Sequence, residues 1–506
     1  MNTEGRVRDR LGCLLNHLYS GPRGDGVSSR CDGAVLRQCS SRSQINNDIT
    51  VTASDQGTAL SVLDRSQETH LHVHAQSGLS DELLDIRVSG LEPGQEVTLR
   101  AYVMSECGRY RFESSAQYVA DRSGRVAVQN DPSIGGSYTG VEPHGLLWSM
   151  VATDTSKWPR LIKKNIQKPF VYHFRVVDVA GRLLGEASAE RWSLADYVDR
   201  IPLTHGKAKG CLYLPQQKGN TTLMPVLIDI RGGVPYLIED RPSLLASHGF
   251  ATISVDYFRK MRGGADLTSS VITYFDMQIF LDIIDFIREH PRLDINRVGI
   301  VSACLGGYLA MNAVARIAGL PIKCLSVTGS GDVPPTGVGL VLPDGTRIIP
   351  PQPSFDGQVF EGEDGLLYWT ITEERVIPSG EFVTPVEDIN IPMLFLIPGD
   401  DRFVSSLKRT NRMLTRLQNV GKHHLFEAVF LRGTGHIVDV PYLPLCRFSN
   451  ISPGAKIDLF GTCGGDPKLH SRGQEVAWRK TINWFRHQLG VTEVYRTDWL
   501  DSEQGQ

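Results

Sequence analysis

The sequence of 506 residues predicts two unlike architectures in one chain: an all-β domain, then a mostly parallel β-sheet with helices on both faces. Three observations carry that expectation. Short runs of alternating apolar residues, parted by Gly and Pro, fill residues 70 to 195. From about residue 203, strand-length runs that are apolar throughout alternate with helical patterns, as in a parallel sheet covered on both sides. Several of these runs end at glycine-rich bends: Gly232-Gly233, Cys304 to Gly306, and Gly433 to Gly435.

In chain order, residues 1–70 are rich in Ser, Gly, Arg, Asn and Asp, with little apolar periodicity, and read as a disordered tail. LLDIRVSGLEPGQEVTLRAYV then holds two alternating runs, Leu84-Ile86-Val88 and Val97-Leu99-Ala101, around a Gly/Pro turn. Further strands are expected in RFESSAQYVAD, GRVAVQN and PFVYHFRVVD, which together make residues 71–200 a β-sandwich. The covered sheet occupies residues 201–490, followed by a flexible tail at 491–506. Its strands are read from MPVLIDI, ATISVDYF, VGIVSA, PMLFLIP and HLFEAVFL. Met277, Phe280, Leu281, Ile284 and Ile287 repeat at helical spacing between the second and third. EVAWRKTINWFRHQL closes the domain through Ala477, Ile482, Trp484, Phe485 and Leu489. Residues 331–388, rich in Pro and Gly, interrupt the alternation and are expected to lie over the sheet's C-terminal edge as a cap or substrate loop.

Composition excludes several classes of function. The chain is 41% apolar and 22% charged with net charge −3, so it lacks the basic excess of a nucleic-acid or membrane-surface binder. Its nine cysteines are scattered, odd in number and without a CxxC pair, which suits a reduced intracellular protein rather than a disulfide framework or zinc site. His70, His72 and His74 alternate along an extended segment without a nearby acidic or Cys partner, so no metal role is assigned. The opening residues lack an apolar signal region, and Glu4 and Asp9 argue against a mitochondrial presequence. A cytoplasmic location is the expectation.

The chemistry centres on Ser302-Ala303-Cys304-Leu305-Gly306, where a strand run meets a helix pattern. This matches the nucleophile elbow of an α/β-hydrolase, usually G-x-S-x-G, whose turn is so tight that small residues must flank the nucleophile. In that fold the order along the chain is nucleophile, acid, His. Asp401 follows the PMLFLIP strand, and His436 follows HLFEAVFL in a Gly-rich loop. The assignment is therefore Cys304 as nucleophile, His436 as base and Asp401 as the carboxylate that orients the imidazole, with Asp400 as the alternative acid. Asp401 is preferred because it is followed by Val404 in a D-x-x-V spacing. The helix N-terminus and the nearby His would favour thiolate at Cys304. An oxyanion hole needs two backbone N–H groups, expected from Leu305 and from Gly233 in the loop Arg231 to Val234.

Beyond these spacings, long stretches resemble one known family, the acyl-CoA thioesterases and bile acid-CoA:amino acid N-acyltransferases. VSGLEPGQEVTLRA and GGSYTGVEPHGLLWSM resemble its β-sandwich; RPSLLASHGFATISVDYF, GTGHIVDVPYLPLC and GGDPKLHSRGQEVAWRKTINWF resemble its catalytic domain. The resemblance implies the same nucleophile, acid and base, and a CoA thioester as substrate with no separate cofactor. Thioesterase members generally carry Ser at the nucleophile, whereas the N-acyltransferase carries Cys. This chain has Cys304, yet Leu305 and Gly307 look closer to the thioesterase pattern. It ends in DSEQGQ, without the tripeptide that sends several members to peroxisomes. Attack by a thiol exchanges one thioester for another, and the thioester so formed reacts more readily with an amine than with water. Cys304 therefore points to acyl transfer to an amino acid such as glycine or taurine, with hydrolysis as the competing path. Plain thioesterase activity is the alternative; a dienelactone-hydrolase-like esterase or a non-catalytic lipid-binding protein are remoter ones. Arg259, Lys260 and Arg262 are candidates by position for the CoA phosphates.

Overall fold

A computed structural model of the chain describes residues 68–154, 159–216, 222–232, 236–257, 273–334, 338–350, 358–362, 365–370, 378–450 and 459–491. The expected tails therefore lie almost wholly outside the described residues, as do Gly233, Arg259, Lys260 and Arg262.

The all-β expectation is met by two sheets that share one apolar core. The smaller joins His70–His74, Asp85–Ser89 and Val126–Ala127. The larger runs through Ser77–Leu79, Leu183–Trp192, Phe170–Asp178, Glu96–Met104, Arg111–Val119 and Gly135–Gly136, with Val151–Ala152 beside Arg111–Val119. Burial alternates strictly along Glu96–Met104, so Val97, Leu99, Ala101 and Val103 face inward and their neighbours outward. The inward rows meet Ile86, Val88 and Phe174 in a common cluster.

The α/β domain is an eight-stranded sheet. Its strands are β1 (Val198–His205), β2 (Ala208–Pro215), β3 (Met224–Ile230), β4 (Ala251–Val255), β5 (Leu293–Ala303), β6 (Ile322–Thr328), β7 (Met393–Pro398) and β8 (Phe426–Leu431). They lie in the order β1-β2-β4-β3-β5-β6-β7-β8, antiparallel only at β1–β2 and β2–β4. This is the α/β-hydrolase arrangement. Every residue of β3, β4 and β7 is buried, because helices cover both faces. The helices are α1 (Asp240–Ser247), α2 (Gln278–Glu289), α3 (Leu305–Arg316), α4 (Ser406–Asn419) and α5 (Pro467–Leu489). No helix among the described residues is long and apolar enough to cross a membrane.

Three local readings change. The β8 run begins at Phe426 rather than His424, because His423–Leu425 is a turn of 3-10 helix. The last helix begins eight residues earlier than its apolar periodicity indicated. Asp466 caps it by accepting the Leu469 N–H at 2.9 Å, and Pro467 fills its first position, where no N–H is needed. The described part of 331–388 contains short strands. Val338–Val341 joins Thr273–Asp276 and Arg347–Ile348 in one small sheet, while Gln358–Glu361 and Leu367–Thr370 join Leu459–Thr462 and Phe448–Asn450 in another.

The two domains are joined by buried polar contacts. Asp81 of the sandwich, fully buried, lies 2.6 Å from His248 Nε2 and accepts the Trp478 Nε1 hydrogen bond at 2.8 Å. Glu142 receives Lys468 and Arg472 of α5, each at 2.9 Å. His144 stacks on Tyr442 with ring centroids 3.6 Å apart. Removing Asp81 leaves two buried donors without their acceptor. Asp81→Ala should lose about 2 to 4 kcal/mol in denaturant unfolding, and separate transitions for the two domains should emerge. A loss below about 1 kcal/mol would show that this contact is not what couples them.

Candidate active site

β5 ends at Ala303 and α3 begins at Leu305, leaving one residue, Cys304, for the reversal. Its φ of +53° is a left-handed conformation that non-glycine residues rarely adopt. The bend is held by the Cys304 N–H donating to the Thr328 carbonyl of β6 at 2.9 Å, and by the Gly307 N–H donating to the Cys304 carbonyl at 3.0 Å. The small flanking residues have separate reasons. A Cβ on Gly306 would sit 2.1 Å from the Ile230 carbonyl oxygen, so only glycine lets α3 pack this close to β3. Ser302, where glycine is usual, is fully buried and donates its hydroxyl to the Ser326 carbonyl at 2.6 Å. The side chain thus fits by bonding along the next strand. Cys304 itself is half-buried and remains open to solvent.

His436 comes from the loop after β8. Its ring lies against Gly329, one residue past Thr328, where an added Cβ would be 3.4 Å from Nδ1. Nδ1 is 2.9 Å from Asp401 Oδ2, and the Cys304 side chain reaches the same ring. Burial of the ring works to lower its pKa. The charges of Asp401 and Cys304, with their hydrogen bonds to the imidazole, outweigh burial and hold it well above the usual value for histidine. The Phe403 ring covers the imidazole at 4.8 Å between centroids.

Asp401 is aimed by its own loop. Oδ1 accepts the N–H groups of Phe403 at 3.0 Å and Val404 at 2.8 Å; Oδ2 accepts the Ser406 hydroxyl as well as facing His436. The D-x-x-V spacing therefore has a cause: the fourth residue donates to the first. Asp400, the alternative acid, points elsewhere. It pairs with Arg402 at 2.9 Å and accepts the Gly465 N–H at 2.8 Å. Of the expected oxyanion donors, Leu305 opens α3, where its N–H has no intrahelical acceptor. Gly233 lies outside the described residues, but the neighbouring Gly232 stands against the thiol: a Cβ there would be 3.4 Å from Cys304 Sγ.

Ser406, Phe403 and Asp439 were not marked as site residues from the sequence. Asp439 follows His436 by three positions in GTGHIVD, a local signal that was present. His70, His72 and His74 sit exposed on one strand, and no group of metal-ligating residues occurs among the described ones.

Family models match both halves of the chain. Residues 81–205 match the acyl-CoA thioester hydrolase/BAAT N-terminal region, and residues 275–491 match the BAAT/acyl-CoA thioester hydrolase C-terminal domain. The chain belongs to the acyl-CoA thioester hydrolase/BAAT family. Similar relatives include the mouse protein named acyl-coenzyme A thioesterase 2, mitochondrial, 33% identical over 81% of this chain and 87% of that one. Rat acyl-coenzyme A thioesterase 1 is 34% identical over 81% and 94%. Mouse bile acid-CoA:amino acid N-acyltransferase is 30% identical over 82% and 96%. Among solved structures, a Pyrococcus horikoshii acylaminoacyl peptidase aligns with a TM-score of 0.37 at 13% identity, over 82% of this chain and 68% of that one.

The imidazole provides a direct check on this geometry. Asp401→Asn removes a charge that raises the His436 pKa, so the variant's imidazole should titrate at lower pH by NMR. A group raised on folding contributes stability that is full below its unfolded pKa, about 6.5, and lost as pH rises through the folded value. That loss of stability above about pH 6.5 should shrink in Asp401→Asn. An unmoved His436 titration would mean that the carboxylate does not set the ring's proton affinity.

Proposed function

We propose that this chain cleaves acyl-CoA thioesters through an acyl-Cys304 intermediate and passes the acyl group to an amino acid, with hydrolysis competing. The observation that carries the reading is the meeting of Cys304, His436 and Asp401 at the strained elbow, with a thiol where the bend presents its nucleophile. Family membership supplies the substrate class, and the N-acyltransferase relative supports an amino acid as acceptor.

The steps balance without a further reactant. Cys304 Sγ, its proton held by His436, attacks the thioester carbonyl carbon; the C–S bond to CoA breaks, and CoA leaves as the thiol with a proton from the imidazole. Leu305 N–H and Gly232 N–H are the donors in this reading for the oxygen that becomes negative in between. An amine then attacks the acyl-Cys304 carbon, His436 takes its proton, and the Cys304 sulfur departs. Water in place of the amine yields the free acid. Asp401 holds the imidazole in one orientation throughout. No metal or redox cofactor has a role in this sequence, and CoA enters only as part of the substrate. A cytoplasmic site of action belongs to the same reading, supported by the free thiols of all six described cysteines.

Plain thioesterase activity is the second reading. It is favoured by Leu305 and Gly307 and by the slightly higher identity to relatives named as thioesterases. One experiment separates the two. The protein is incubated with bile acyl-, long-chain and branched acyl-CoAs, with and without glycine or taurine, and products are followed by mass spectrometry. Expected are CoA release, an acyl adduct on the Cys304 peptide, and an amide when the amino acid is present. Cys304→Ala should lose about a thousandfold or more in turnover, and Cys304→Ser should shift product from amide toward free acid. Free acid alone at every amino acid concentration would establish the hydrolase reading instead.

A further inference from the structure

The main chain that faces the sulfur is fastened from three directions. Arg231 is the first residue after β3 and precedes Gly232, the residue packed against Cys304. Its side chain crosses to the His436 loop, where Nη2 donates to Asp439 Oδ1 at 2.9 Å. Asp439 is shared. Arg160, from the segment of the sandwich domain before Phe170–Asp178, donates through Nη2 to both Asp439 oxygens at 2.6 Å. The Arg231 carbonyl is held as well, accepting the hydroxyl of Tyr257, just past β4, at 2.5 Å. Burial alone would raise the Asp439 carboxyl, but the two guanidiniums outweigh burial and keep it below the usual carboxylate range.

Because the peptide unit is planar and trans, fixing the direction of the Arg231 carbonyl fixes the opposite direction of the Gly232 N–H. A buried cluster of this kind is weak support for stability, since removing charges from water is costly and well-packed apolar residues often serve as well. What it does supply is geometry. Asp439 stands three residues from His436, Arg231 stands one residue from Gly232, and Arg160 ties both to the other domain. We propose that Arg231 is a positioning residue for the backbone that receives the carbonyl oxygen of the acyl group, and that the sandwich domain sets it through Arg160. The inference rests on the acyl-Cys304 reading above.

Two reactions of the same sulfur test it. Attack on an acyl-CoA develops negative charge on oxygen and needs positioned N–H donors. Alkylation by iodoacetamide displaces iodide from a saturated carbon and develops no oxyanion. Tyr257→Phe and Arg160→Met are made in the full chain, and single-turnover acylation, KM and Cys304 alkylation are measured. Loss of an oxyanion donor outright costs 10²–10³ in rate, so a misplaced donor should slow acylation about tenfold or more. KM and alkylation should stay within about twofold of the parent. Acylation within about twofold in both variants overturns the proposal. So does alkylation that falls in step with acylation, which marks a general distortion of the elbow. If Arg160→Met does not fold, Arg160→Lys, which keeps a charge beside Asp439 but not the two-oxygen contact, takes its place and is judged by the same two rates. A parent protein that forms no acyl adduct on Cys304 refutes the underlying reading instead, so the two failures are told apart.

Discussion

The site depends on one backbone angle. At Cys304 the chain leaves a parallel strand and enters a helix within a single residue, and only a positive φ makes that reversal. Such a conformation costs about 1–2 kcal/mol for a residue with a Cβ, so its surroundings must hold it. They do so through contacts that leave no room. Gly306 meets the Ile230 carbonyl, a Cβ on Gly307 would collide with Ser330, and the Cys304 N–H is tied to β6. In return the thiol stands at the C-terminal ends of β3, β5 and β6. The loops after β3 and β8 converge there, and the stretch after β7 supplies the carboxylate behind the imidazole. The three side chains of the proposed chemistry arrive after three different strands, and the elbow gives them a common target.

The parts legible in the sequence were those with local causes. β3, β4 and β7 are buried on both faces and so read as unbroken apolar runs. The elbow showed in its small residues and its place in the chain, and Asp401 was separable from Asp400 because the Val404 N–H needs an acceptor three residues back. β1 and β2 were not legible. RIPLTH is mostly exposed at the sheet edge, and the Gly206 turn is flanked by Lys rather than by a familiar hairpin pair. α4 was missed for a similar reason. Only Ser406, Thr410, Met413 and Leu417 are buried in it, two of them polar, so its inward stripe is faint against a charged sequence. The first turns of α5 are polar because they meet Thr434 and Glu142 rather than an apolar core.

Nothing local announces contacts between residues hundreds of positions apart. Arg160 and Asp439 are separated by 279 residues and Asp81 and Trp478 by 397, and although Asp439 stands close to His436 in sequence, nothing near it points to Arg160. The first of these long-range pairs ties the sandwich to the loop that carries His436. The loop that carries His436 runs from Gly433 to Cys446 and is pressed between the domains. Tyr442 in that loop, like Cys304, is a non-glycine residue with positive φ, at +69°, and its ring is stacked on His144 of the sandwich.

A strained tyrosine under a stacked imidazole and a shared carboxylate three residues past His436 have the same consequence. His436 belongs to the α/β domain by sequence, but contacts from the sandwich hold the path of its loop. An isolated α/β domain would keep the apolar core between its sheet and α2, α3 and α4, and the contacts that close the elbow, but the opposite face, under α1 and α5, shares its apolar cluster with the sandwich. It would lose Arg160 from Asp439 and His144 from Tyr442, leaving a buried carboxylate with one partner fewer and a strained residue with nothing stacked against it. Cys304 would then be in place while the loops that carry His436 and Gly232 had lost part of their support. The geometry around Cys304, His436 and Asp401 thus draws on the domain that supplies none of those three side chains.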